Sequence, residues 1–335
     1  MPILSVIIPA YNIENYIKKS LDSVCVQNVS DIEIIVIDDG SVDRTGYICD
    51  EYAKDYSNLR VYHKENSGLA GTRNFGIQMA EGKYIAFLDG DDFFAPHAIE
   101  NILCVIKNND DVDVVIGRYI NYYMSNGKYK TCAYHLDKQV IENSRQEELF
   151  WELFRGKTYD WYACLNIVKK SYIIENKIFF KEGICFEDAL WTPEILFCAN
   201  KTAYIDIPFY IYLQGRPGSI TVLISEKTYR DKLYVCQFAK DFCRRHSMSD
   251  ALKKRFMGNY NHIYVSLLAD SWKFEKQKRN KYWQEIEKDR KILLYSERRY
   301  QYYLYKLWKV IGIRGVSYIL HARAEWVRRK MLSGR

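Results

Sequence analysis

Short apolar runs separated by amphipathic stretches organise the first third of the chain. Residues 3–8, 32–37 and 84–88 are too short for helices and, with Ser5 and Glu33 their polar exceptions, too apolar for a solvated face, as strands covered on both sides are. Residues 59–63 read as a shorter strand of the same series. Between them, Ile13, Tyr16, Ile17, Leu21 and Val24 recur at helical spacing behind Asn12, a natural N-cap, and Ser41 is placed to cap a helix carrying Ile48 and Tyr52. Asn66-Ser67-Gly68 leads into a helix reaching about Ala80. Pro96 suits a first helical position, Ile99, Ile102, Leu103 and Ile106 form one apolar face, and 112–116 is a fifth strand. This alternation predicts an α/β fold built on a doubly wound, mostly parallel sheet, with the polar loops after strands one, two and four gathered at one edge.

The pattern loosens beyond residue 121. A β segment near 129–134, a helix over 145–154, a strand candidate over 204–212 and a helix through Leu196 and Phe197 are expected. Thr192-Pro193 would supply the cap and first position of that last helix. Everything after Lys227 reads as helical.

The chemistry concentrates after the fourth strand, where Asp89-Gly90-Asp91-Asp92 follows the apolar run at once. Ligands of open α/β sheets bind at the carboxyl ends of the strands, so acids there reach a polyanion through a cation such as Mg2+ or Mn2+. If strand geometry persists, Asp89 and Asp91 point the same way and Gly90 permits close approach. No Gly-x-Gly-x-x-Gly follows the first strand and no phosphate-loop Gly-Lys-Ser/Thr is present, which disfavours dinucleotide and P-loop chemistry. His63 and His97 lie near the acids in sequence, but a lone histidine is more often a surface or packing residue.

Composition narrows the setting. The nine cysteines form no Cys-x-x-Cys pair and the six histidines lack zinc-ligand spacing, which suits a reducing, cytosolic compartment. The N-terminal residues enter a strand without the basic flank and apolar core of a signal peptide, and no apolar stretch approaches the roughly 18–20 residues that cross a bilayer. The net charge of +7 is uneven: residues 271–335 hold 18 Lys and Arg against 6 Asp and Glu, leaving 31 against 36 for the rest. This basic, tyrosine-rich tail fits either docking on an anionic membrane surface or packing with solvated charges. Nucleic-acid binding is disfavoured because no recognisable module accompanies the charge.

Taken in order, Ser5-Val-Ile-Ile-Pro9-Ala-Tyr11-Asn12, Ile37-Asp38-Asp39-Gly40-Ser41, Asn66-Ser67-Gly68, Arg73-Asn74-Phe75-Gly76, Ala80-Glu81-Gly82 and Phe87-Leu-Asp-Gly-Asp-Asp92 resemble the family 2 glycosyltransferases of GT-A (Rossmann-like) fold, in particular bacterial capsular, exopolysaccharide and lipid-linked oligosaccharide enzymes. The resemblance implies a catalytic domain over 1–226, with a nucleotide-binding half (1–120) and an acceptor half (121–226), followed by a helical C-terminal extension over 227–335. It also implies an inverting hexosyl- or N-acetylhexosaminyltransferase using a nucleotide-sugar donor, usually a UDP-sugar, and a glycan or lipid-linked oligosaccharide acceptor. Such an enzyme would be cytoplasmic or peripheral on the inner face of the cell membrane. By the same resemblance Asp39 binds the nucleobase, with Pro9, Tyr11 and Asp38 around it, and Arg73 lies near the nucleotide. Asp91 and Asp89 hold Mn2+ or Mg2+, Asp89 lying nearer the ribose. Asp188, in the segment Glu182-Gly-Ile-Cys-Phe-Glu187-Asp188, is the general base, and the metal with Arg73 or Arg216, the latter at the end of the aromatic stretch that begins at Tyr210, would offset charge on the leaving group.

Two departures stand out. Gly90 replaces the more usual Ser or Asp, and Cys164-Leu165-Asn166 stands where Trp-Asn-Lys is common, which puts acceptor binding in question. Two other functions compete: a nucleotidyltransferase, which would want a Gly-rich basic loop after strand one, and a catalytically silent sugar-nucleotide or membrane-binding scaffold.

Overall fold

The computed structural model describes residues 1–27, 29–109, 111–132, 136–155, 159–216, 225–295 and 299–332. The chain divides into two compact units, 1–156 with 160–221, and 157–159 with 222–335.

The first unit is built on a seven-stranded sheet. Its strands are β1 (Leu4–Ala10), β2 (Ile32–Asp38), β3 (Leu59–His63), β4 (Tyr84–Phe87), β6 (Val114–Ile116), β9 (Asn166–Lys169) and β10 (Thr202–Tyr204), in the order β10-β6-β9-β4-β1-β2-β3. All pairs are parallel except those of β9, which runs antiparallel to both β4 and β6. Every residue of β1 and β2 is buried, as their apolar runs require of strands covered on both faces. A second sheet, β5-β11-β7-β8, joins β5 (Phe93–Phe94), β7 (Tyr119–Tyr123), β8 (Lys128–Thr131) and β11 (Tyr210–Gln214). The expected β segment at 129–134 is therefore β8, with Tyr134 outside the described residues. The single strand expected over 204–212 is two strands in two different sheets.

Helices α1 (Ile17–Cys25), α2 (Thr45–Asp55), α3 (Gly68–Met79) and α4 (Ala98–Asn108) follow β1, β2, β3 and β5; α5 (Lys138–Asn143), α6 (Gln146–Leu153), α7 (Lys170–Glu175) and α8 (Asp188–Cys198) complete the unit. Their starts differ from expectation in an instructive way. Asn12 caps nothing: its backbone has φ 49°, its Oδ1 accepts from Val42 N at 2.9 Å, and its own N donates to Ser41 Oγ at 3.0 Å. Asn12 and Ser41 thus spend their polar atoms tying the loop after β1 to the loop after β2. Pro96 precedes α4 by two residues, behind a left-handed His97. Thr192 and Pro193 lie inside α8, which begins four residues earlier, and the buried Thr192 hydroxyl donates to the Trp161 carbonyl.

Glycines let these layers close. A Cβ on Gly76 would lie 2.5 Å from Ile7 Cγ2, so α3 packs its backbone directly on β1. Gly82 would meet Ser5, and its N–H instead donates to Ser5 Oγ and Glu33 Oε1, both at 2.9 Å.

The second unit is helical: α9 (Glu226–Arg245), α10 (Asp250–Asn259), α11 (Asn261–Asp270), α12 (Lys276–Glu287) and α13 (Arg299–Leu332). Ser225 and Thr228 form a capping box at the start of α9, and Ser249 caps α10. Val235, Phe242, Phe256, Tyr264, Leu267 and Trp308 are among its core residues. Gly312, with φ 67° and ψ 179°, breaks α13 into two segments.

Candidate active site

The loops after β1, β2 and β4 meet at the carboxyl edge of the large sheet, as the alternation predicts. Asp39 N donates to Ala10 O at 2.9 Å and Gly90 N to Pro9 O at 3.3 Å, which holds the turn ends of β2 and β4 on either side of β1. Pro9 is buried in β1, whereas Tyr11 just beyond it is half exposed.

Asp38 and Asp39 are both buried and both tied down. Asp38 accepts from Ser41 N at 3.0 Å through Oδ1, while its Oδ2 lies 2.9 Å from His63 Nδ1. His63 sits between Asp38 and Asp50, and the hydrogen bond to Asp38 leads the effects that raise its pKa. The Asp39 carboxylate accepts from Ser67 N and Gly68 N, each at 2.9 Å, and from Lys64 Nζ at 2.6 Å. It thereby satisfies orphan donors at the start of α3, a position that favours an anion. Oδ2 takes one of these bonds, from Gly68 N, and a carboxylate oxygen has capacity for a second.

After β4 the chain does not continue as a strand. It turns at once, with Asp92 N donating to Asp89 O at 2.8 Å. The three carboxylates of this turn have separate partners. Asp89 Oδ1 accepts from Arg73 Nη2 at 2.7 Å, and Asp91 Oδ2 pairs with Arg216 Nε at 2.6 Å. Asp92 is buried, accepting from Tyr210 Oη at 2.6 Å and Leu213 N at 2.7 Å, so it fastens the turn to β11. Burial, then the charges of Asp91 and Asp89, raise the Asp92 carboxyl well above the usual range. Burial also raises Asp91, against the pull of Arg216. Gly90 has no room for a side chain, since a Cβ would lie 2.5 Å from Ile13 Cδ1 and 2.8 Å from Pro9 O. Its departure from Ser or Asp is dictated by this packing.

Arg73 connects the acid turn to the acid pair far along the chain. Its Nη1 donates to Glu187 Oε1 at 2.6 Å and its Nη2 to Asp89, and the guanidinium lies 5.3 Å from the Phe180 ring centre. Burial alone would lower its pKa, but Asp89 and Glu187 outweigh that and hold it above the usual value. The neighbouring Asn74 exchanges hydrogen bonds with the Phe180 backbone and reaches Glu182, so the Arg-Asn pair holds the whole 180–188 segment. Asp188 opens α8. Burial, then the charge of Glu187, push its carboxyl up to about 7 against the attraction of Arg73.

The structure therefore brings Arg73, Asp89, Asp91, Asp188 and Arg216 into one electrostatic network, with Pro9 and Asp38 at the ends of β1 and β2 and Tyr11 and Asp39 just beyond them on the same edge. Cys164 and Asn166 are buried, with Asn166 Nδ2 donating to Tyr162 O. His97 pairs with Glu100 on the surface. Sequence reasoning did not single out Glu187, Tyr210 or Lys64 for these roles. Only Glu187 carried a local signal, its position beside Asp188.

The donor set of Asp89 and Asp91 suits a hard cation. Both are carboxylates with about a quarter of the side chain exposed (27% and 25%), and among the described residues they belong to no cluster of three ligands. Mg2+ and Mn2+ are commonly held in this way, by one or two carboxylates plus water and substrate phosphates.

Residues 5–170 match the profile of Glycosyl transferase family 2. The glycosyltransferase GlyG of Streptococcus pneumoniae serotype 4 is 32% identical over 227 residues, 65% of this chain and 72% of GlyG. The glycosyltransferase EpsJ of Bacillus subtilis is 30% identical over 66% of this chain and 63% of its own length. The crystal structure of S. aureus TarS 1–349 in complex with UDP-GlcNAc superposes with a TM-score of 0.68 over 97% of this chain and 92% of that one, at 18% identity, which establishes the likeness of fold. With its ordered sequence blocks on a mostly parallel sheet and its acids at the carboxyl edge, the chain belongs to glycosyltransferase family 2 and is a glycosyltransferase of GT-A fold.

Proposed function

We propose that the enzyme transfers a sugar, with inversion, from a UDP-sugar to a hydroxyl of a glycan or lipid-linked oligosaccharide in the synthesis of a cell-surface polysaccharide. The observation that carries this reading is the Arg73 bridge, which ties the turn bearing Asp89 and Asp91 to the pair Glu187-Asp188. UDP as the nucleotide is supported by the complexes of the similarly folded TarS with UDP-GlcNAc and with UDP.

In this reading residues 1–120 bind the nucleotide and 121–226 present the acceptor. Asp39 accepts from the base through its remaining lone pair, within a pocket that includes Pro9, Tyr11 and Asp38. Asp91, with Asp89, would hold Mn2+ or Mg2+, an ion that offsets charge on a leaving diphosphate. Asp188 takes the proton of the acceptor hydroxyl as its oxygen bonds to the anomeric carbon, and the bond to the diphosphate breaks with its electron pair on phosphate. Arg216, beside Asp91, faces that negative charge. Arg73, with both terminal nitrogens on carboxylates, positions the acids. A carboxyl titrating near 7 suits a base working near neutral pH.

Replacement Asp188→Asn tests the assignment. Affinity for the donor should persist while transfer falls by about 10²–10⁴-fold; normal transfer by this variant would remove Asp188 from the chemistry.

A further inference from the structure

We propose that the outward face of α13 is a docking surface for an anionic lipid bilayer. In Arg299–Ile311, Gln301 and Trp308 lie seven residues apart and face inward; Trp308 stacks against Tyr264 at 6.4 Å and donates its Nε1–H to Glu287. At about 100° per residue the opposite side of the helix centres on Tyr303 and Val310, also seven apart. These two are 64% and 81% exposed. With Tyr300, Leu304, Lys306 and Leu307 they line a shallow surface groove. A helix side turned to water is ordinarily polar, so this one is built for an apolar covering. Beyond Gly312 the arrangement recurs: Val316 and Leu320 are buried while Tyr318, Ile319 and Trp326 are exposed.

Charge selects the occupant. Residues 299–332 contain eight Lys and Arg against a single acid, Glu325. A second copy of this face would set cations almost entirely against cations, which disfavours self-association. An anionic headgroup layer answers the exposed Lys306 and Lys309. Lys306 and Lys309 lie over the rings of Tyr302 and Tyr305 at 4.8 and 5.1 Å, so cations and amphipathic rings share one level, as residues at a lipid–water boundary do. Among the described residues no helix is long and apolar enough to cross a membrane, so the surface docks rather than spans. The inference deepens the proposed use of a lipid-linked acceptor; its test reads binding rather than transfer, so either can fail alone.

Co-sedimentation of the full chain with phosphatidylglycerol/phosphatidylcholine vesicles, against phosphatidylcholine alone, tests it. Binding should require phosphatidylglycerol, fall with salt, and drop about fivefold for each cation removed in Lys306→Gln and Lys309→Gln. Tyr303→Glu with Val310→Glu should abolish it while thermal unfolding is unchanged, because both side chains are exposed. Lys254→Gln, an exposed cation on α10, should bind like the parent. Absence of binding to the anionic vesicles, or full binding by the Tyr303/Val310 variant, overturns the proposal. A concentration-dependent dimer in sedimentation velocity that the same variant dissolves would also overturn it, by assigning the face to a second copy.

Discussion

Arg73 in the sheet unit is 2% exposed and ends on two carboxylates, whereas Lys278 in the helical unit forms its ion pair with Glu226 at the surface. The two pairs have similar lengths, 2.7 Å from Arg73 to Asp89 and from Lys278 to Glu226. Their consequences differ because water screens only the second. A buried cation that lost its partners would be uncompensated, so the network of the sheet edge must persist as a unit; the surface pair can come and go. The Arg73 network thus concentrates charge inside the sheet unit, whereas the Lys278–Glu226 pair lies in solvent.

Breaking the buried side should be severe. Arg73→Ala leaves Asp89 and Glu187 unpaired and should cost about 3–5 kcal/mol, read as a lowered denaturant midpoint. Gly90→Ala forces a methyl against Ile13 and the Pro9 carbonyl and should cost about 1–3 kcal/mol. Combining it with Ile13→Val should restore only part, since the Pro9 oxygen remains.

The network also sets a pH dependence. With Asp188 as the proposed base, which must be ionised to act, kcat/KM should rise as pH climbs through about 7, the level to which Asp188 is pushed. Glu187→Gln removes the like charge that is second only to burial in raising it and leaves Arg73 to attract Asp188 more strongly. The rising limb should then move to lower pH; a limb that stays in place would show that Glu187 does not act on the base. At the solvated extreme, Lys278→Ala should leave the unfolding midpoint where it was.

The same contrast governs what could be read in the sequence. The strands β1, β2 and β4 are legible because burial on both faces writes itself as a local apolar run. The acids Asp38, Asp39, Asp89 and Asp91 stand out in the sequence because they follow such runs, and Asp188 only through the resemblance of its segment to the family's acid pair. What escaped depends on distant partners. The antiparallel insertion of β9 between β4 and β6 is a matter of register between segments some 80 residues apart in sequence, as the pairing of Ile85 with Val168 shows. Asn12 and Ser41 have the chemistry of N-caps yet serve each other's loops, and Thr192 bonds across to Trp161. Tyr210, one of several tyrosines in its stretch, becomes distinct only when its hydroxyl is found between Asp89 N and Asp92.

The most direct test of the account is calorimetry of UDP with the full chain, with and without Mn2+, repeated on Asp91→Ala. The account predicts binding that Mn2+ strengthens and that Asp91→Ala reduces at least about tenfold, equivalent to about 1.4 kcal/mol. Equal affinity for UDP in the parent and the variant, in the presence of Mn2+, would contradict it.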